Sequence, residues 1–104
     1  MRFCPWYPLA DAAGHVPVGE GVLQLRLATG VQDYPSGKSA MVHYEHARDL
    51  RATAAALAVR FAGTALVCRH LDTEGQAVDF VAFHARVLEE FVRRFGAAPR
   101  LFAT

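Results

Sequence analysis

Lysine is almost missing from this chain: Lys38 is the only one, and every other basic residue is arginine. Charge of one sign is missing too. The formal net charge is +1, so no global field draws the protein toward nucleic acid or anionic lipid. Only two cysteines occur, Cys4 and Cys68, and neither belongs to a CxxC pair, which excludes a disulfide framework. Two reduced thiols are the expectation, with a single bridge the remaining possibility. Long hydrophobic runs are absent because Arg, His, Asp or Gly interrupts each one well short of the ~18 residues of a membrane span. The opening MRFCPWYPLADAAG is broken by Pro5 and Pro8 and lacks the continuous apolar region of a signal peptide. A cytoplasmic protein that does not enter a membrane is therefore expected.

What remains is an apolar, alanine-rich chain. Hydrophobic residues make up 53% of its 104, too many for a disordered segment and enough for one domain with its own core. Residues 1–20 read as an extended arm and loop, since Pro5 and Pro8 each remove a ladder donor and rule out a central strand. Whether Trp6 packs or lines a binding surface stays open, with packing the simpler reading for a lone tryptophan. From Val22 to Thr29 the chain alternates, Leu23, Leu25 and Leu27 on one face and Val22, Gln24 and Arg26 on the other. A loop bearing Asp33, Pro35 and Gly37 leads to a second alternating run, Ala40 to Glu45, in which Val42 and Tyr44 share a face. The two runs make an antiparallel hairpin.

A helix is expected over 47–62 on the spacing of Leu50, Ala54, Leu57 and Phe61, with Gly63 as its closing cap. Thr64 to Asp72 reads as a third strand, apolar enough at its start to be central and covered on both faces. The last helix is expected over 76–95, with Ala77, Val81, His84, Leu88, Phe91 and Phe95 inward and Val92 beside them. Gly96 and Pro99 stop it, and residues 99–104 form a tail. The order β-β-α-β-α predicts a single α/β (α+β) domain: residues 21–95 form the core, a small mixed three-stranded sheet with helices packed against it.

Few residue patterns carry chemistry. Gly37-Lys38-Ser39 is spaced too far from Gly30 for a phosphate loop and runs into a strand where a helix is needed. Lys38 can still meet an anion from a glycine-bearing loop. His43, His46, Cys68 and His70 are metal-ligand types without a familiar ligand spacing, so no metal site is assigned. His84 interrupts an apolar helical stripe. It is either a neutral core histidine bonded to a carbonyl or tyrosine, or a functional imidazole aimed at the hairpin.

Gly21-Val22-Leu23-Gln24-Leu25-Arg26 resembles the first motif of the GIY-YIG nuclease domain, and Met41 through Arg51 resembles its second motif running into the following helix. The resemblance extends over residues 18–99, including the final helix and its closing proline. It implies a hairpin-led nuclease fold, tyrosines and an arginine that activate water and phosphate, and a glutamate that holds a divalent metal. Here Leu23 and His43 stand at the tyrosine positions, Glu45 at the second motif's glycine and His84 at the metal-binding glutamate. The arginine position falls near Thr53, with Arg48 and Arg51 close by. The resemblance therefore implies a non-catalytic binding module, with no cofactor. Tyr34, Lys38, Arg48 and Arg51, with His43 and His84, would line the old cleft and take nucleic acid, a phosphate-bearing ligand or a protein partner. The alternative is a divergent metal-dependent phosphodiesterase with His43 as base and His84 as ligand or acid, a divalent metal being required only then. A second alternative is a homodimer formed through the aromatic residues 3–7 and the C-terminal tail.

Overall fold

The computed structural model describes residues 1–102; the last two residues of the expected tail lie outside them. The domain is α+β. Its arm forms two short strands, β1 (Arg2–Phe3) and β2 (Tyr7–Pro8), then a 3₁₀ turn at Leu9–Asp11 and the one-turn helix α1 (Ala12–His15). The main strands are β3 (Gly21–Leu27), β6 (Met41–Ala47) and β7 (Leu66–Asp72). A small hairpin, β4 (Gln32–Tyr34) and β5 (Gly37–Ser39), lies between β3 and β6. Two longer helices, α2 (Leu50–Arg60) and α3 (Phe80–Phe95), complete the chain.

Every pairing in the sheet is antiparallel, so the expected mixed sheet is corrected to an antiparallel one. Strand β3 lies at its centre, between β6 and β7, and the arm strands add to the outer edge of β7. The third strand, β7, is interior as well, as expected, flanked by β3 on one side and by the arm strands on the other. In β3, Val22, Leu23 and Leu25 are fully buried.

Registry divides the side chains between two layers. Leu23, Leu25 and Cys68 face α2, where Leu50, Ala54 and Leu57 recur at helical spacing and close the larger core with Tyr7, Leu9, Ala12 and Val16. Gln24, Tyr44 and Arg69 share the opposite face, aligned across β6, β3 and β7. There Tyr44 meets Phe91 of α3 edge-on at 5.6 Å between ring centroids. A bulge at Leu25/Arg26 leaves Val42 unmatched, and Val42 joins the α2 core while Tyr44 packs on α3. The expected common face for these two residues is therefore broken.

Caps set the helix limits. Asp49 accepts from the Ala52 N–H and begins α2 at Leu50, three residues inside the expected boundary. Asp79 accepts from the Ala82 N–H and begins α3 at Phe80, leaving residues 76–79 outside the helix. Gly96, with φ of 82°, closes α3 in the left-handed conformation. By contrast, α2 ends on Phe61, not through a left-handed glycine at position 63. The inward stripe of α3 holds at His84, Leu88, Phe91 and Phe95, each buried or partly covered, and is corrected at Val81 and Val92. Val81 is 60% exposed and Val92 40%, while Phe80, Phe83, Val87 and Leu88 are partly covered. No helix of the described residues is long and apolar enough to cross a membrane.

Candidate functional site

The expected cleft residues do not converge. His43 stands beside Leu25 on the α2 face, 5.8 Å from the Phe61 ring between centroids, and hydrogen-bonds Glu45. His84 reaches from α3 on the other side, its Nε2 3.3 Å from the Tyr44 carbonyl oxygen. The sheet lies between the two imidazoles. Tyr34 is buried, its ring among Phe91, Phe95 and Phe102. Its hydroxyl donates to the Met41 carbonyl and accepts from Gln32 at 2.9 Å and the Arg100 N–H at 3.2 Å. Lys38 is exposed and lies 3.7 Å from Asp33. Arg48 and Arg51 are exposed at the far end of β6, a seven-residue strand spanning roughly 20 Å.

The metal-ligand types separate as well. His46 bonds Glu20, Cys68 is buried in the α2 core, and His70 bonds residues of the arm. Among the described residues no three of His, Cys, Asp and Glu are placed to hold a metal ion.

Two groupings instead lie along the arm, one on each side of the sheet edge. On the α3 side, strand alternation turns Arg26 and Arg69 away from the larger core. The guanidinium carbons of Arg26 and Arg69 lie 4.2 and 4.4 Å from the Trp6 ring centre, and that of Arg69 lies 4.5 Å from the Phe3 ring. Arg69 Nε donates to Gln24 Oε1 at 2.9 Å. Burial lowers the Arg69 pKa, Tyr44 opposes this and Arg26 adds to it, so the two guanidiniums repel each other. Among the described residues no carboxylate forms an ion pair with Arg2, Arg26 or Arg69. Arg2, Phe3, Trp6 and Arg69 line an open cleft of about 470 Å³ here, with Cys4, Pro5 and Asp72.

Planarity explains what holds this arrangement. A guanidinium can lay its face on an aromatic ring and still present N–H groups at its edge, gaining about 0.5–2 kcal/mol from the ring quadrupole. The rings thus hold the guanidiniums of Arg26 and Arg69, and among the described residues no carboxylate pairs with either. Such edges match the paired oxygens of phosphate.

On the α2 side, Tyr7 and Cys4 converge on His70. Its Nδ1 lies 2.9 Å from the Tyr7 hydroxyl and 3.2 Å from Cys4 Sγ. The His70 backbone N–H also points to Cys4 Sγ, at 3.3 Å. The His15 ring stacks on Tyr7 with centroids 4.5 Å apart and planes 5° from parallel. Burial lowers the His70 pKa, with Asp72 opposing and His15 assisting, so the imidazole is neutral at pH 7. Burial raises that of Tyr7, with Cys68 and Cys4 adding to it, and keeps it a phenol. In the Nε2–H tautomer of His70 the Tyr7 O–H donates and Nδ1 accepts.

Neither grouping was identified from the sequence. Arg69, alone in the run Leu66-Val67-Cys68-Arg69-His70-Leu71, was the available signal for the first: a charge in an apolar strand needs a reason. For the second, Cys68 and His70 are two residues apart on one strand and so share a face, but Cys4 comes from 66 residues away. No family model, curated protein or solved structure matches the chain.

Proposed function

We propose that the protein is a non-catalytic binding module for phosphate groups of a single nucleic-acid strand, acting in the cytoplasm. The observation that carries this reading is the placement of the Arg26 and Arg69 guanidiniums over Trp6, with no carboxylate ion pair to either among the described residues. It keeps the binding role implied by the sequence resemblance and moves it from the hairpin cleft to the sheet edge. Arg26 and Arg69 take phosphate oxygens through their exposed edges, and Arg2 extends the charged strip toward the next phosphate. Phe3 and Trp6 hold the guanidiniums in place and offer apolar surface to the sugar and base.

The test is fluorescence-anisotropy titration of a labelled single-stranded oligonucleotide at several salt concentrations, with Trp6 emission followed in parallel. Because Trp6 is the only tryptophan, a change in its emission reports directly on this surface. Each phosphate neutralised on a single strand contributes about 0.7 to the slope of log affinity against log salt, so three arginines give a slope of about −2. Arg26→Gln with Arg69→Gln is expected to remove about 1.4 of that slope. An absence of binding at low ionic strength, or a slope and Trp6 emission change untouched by the double substitution, would sink the proposal.

A further inference from the structure

Beyond phosphate binding, we propose that Cys4 is a covalent capture site for α,β-unsaturated carbonyl compounds, with His70 as the base that takes its proton. The cleft above the thiol, about 260 Å³, is lined by Cys4, Pro5, Trp6, Tyr7, His15 and His70. Its rings offer flat, largely apolar surfaces to a planar conjugated electrophile. Cys4 is only partly covered, and Nδ1 of a neutral imidazole lies within hydrogen-bond reach of its sulfur. The nearby His70 N–H is placed to stabilise negative charge as it forms on that sulfur.

Conjugate addition fits because it needs neither a leaving group nor a second protein donor built around a carbonyl oxygen. The S–H proton passes to His70 Nδ1 and Sγ forms a bond to the β-carbon of the electrophile. The carbon–carbon π pair moves to give an enolate, which takes the proton from His70 at its α-carbon. The product is a neutral thioether and the imidazole is regenerated. Tyr7 competes in this scheme: its O–H and the Cys4 S–H address the same nitrogen lone pair.

Cys68 supplies an internal reference. It is fully buried, and burial pushes its thiol up to about 12, so it stays protonated and unreached. Acrylamide labelling of the full chain at pH 7.5, close to the ~7 at which the base form is assigned, followed by peptide mass spectrometry, reads both thiols at once. The expected product is a single adduct on Cys4, formed faster than on N-acetylcysteine. His70→Gln is expected to slow it at least about tenfold, within what a positioned base contributes. Labelling of Cys4 at the rate of N-acetylcysteine, or within twofold of the unaltered protein (~0.4 kcal/mol) in a folded His70→Gln variant, overturns the proposal. Should circular dichroism show that variant unfolded, Tyr7→Phe decides. Freeing Nδ1 from the phenol raises the Cys4 rate if the base acts as proposed, and an unchanged or lower rate overturns it.

Discussion

Gly21→Ala tests the packing of α2 onto the start of β3, the junction that positions the larger core. Gly21 pairs with Ala47 and is buried. A methyl group built on it would lie 2.7 Å from Leu50 Cδ1 and 3.1 Å from both Cδ2 and Cγ. Leu50 cannot withdraw cheaply. Its side chain is 1% exposed, and its backbone N–H is tied to the Gly19 carbonyl at 2.8 Å. The glycine is required by the close approach of a neighbour, since its φ is not positive. Such overpacking costs about 1–3 kcal/mol. For a domain of this size that corresponds to a fall in melting temperature of about 4–24 °C, measured by circular dichroism. Urea titration should move the midpoint without changing the slope, since the surface exposed on unfolding is nearly the same. Leu50→Ala alone costs about 2–5 kcal/mol through the cavity it opens. Combined with Gly21→Ala it should cost less, because the new methyl group enters that cavity, with a coupling of about 0.5–3 kcal/mol. A Gly21→Ala protein as stable as the parent, or a strictly additive double variant, refutes this account of the glycine.

Tyr34→Phe leaves the aromatic contacts with Phe91 and Phe95 but removes the hydroxyl shared by Met41, Gln32 and Arg100. It should destabilise the protein by about 1–3 kcal/mol and speed amide exchange at Arg100, measured by urea titration and hydrogen exchange. His70 gives stability a pH dependence of definite sign. Its folded pKa lies below the ordinary 6.5, lowered by burial and His15 against the opposing pull of Asp72, with Tyr7 and Cys4 as its direct partners. The unfolded chain therefore binds the proton first. Stability is full above about 6.5 and is lost as pH falls through the folded pKa. Denaturation midpoints taken across this range should show that loss, and His70→Gln should flatten it.

Legibility in the sequence followed the length of each periodic signal. Leu50, Ala54 and Leu57 announced α2 because three apolar residues at helical spacing on one stripe leave little choice of face. Alternation in Leu23–Gln24–Leu25–Arg26 likewise gave the two faces of β3. Four of the six residues expected inward on α3, His84, Leu88, Phe91 and Phe95, are covered, whereas Val81 extends the apolar pattern in sequence but faces solvent while Phe80, Phe83 and Val87 are partly covered. The start of α3 was placed too early because Ala77 continues that pattern, while the deciding feature is one hydrogen bond from Ala82 to Asp79. The β4–β5 hairpin was hidden among turn formers. Each of its strands has three residues, too few for alternation to be visible.

The two candidate sites were illegible for a different reason, which follows from the edge position of the arm. Pro5 has no N–H to donate; the pairing with β7 ends where the Cys4 N–H meets the His70 carbonyl and resumes at Tyr7, one residue out of register. The intervening residues are thus free of the ladder's strict register. Cys4 can turn toward His70 on one side while Trp6 turns toward Arg26 and Arg69 on the other. A continuous strand would present one face of alternate residues to each layer but would add its own unpaired edge to solvent. The broken arm covers the edge of β7 with short pieces and two prolines, a device that discourages association between sheets. The same break supplies both sites with side chains that no local spacing relates to their partners. Edge protection and the arm's part in both candidate sites therefore fall on the same seven residues, Arg2 through Pro8.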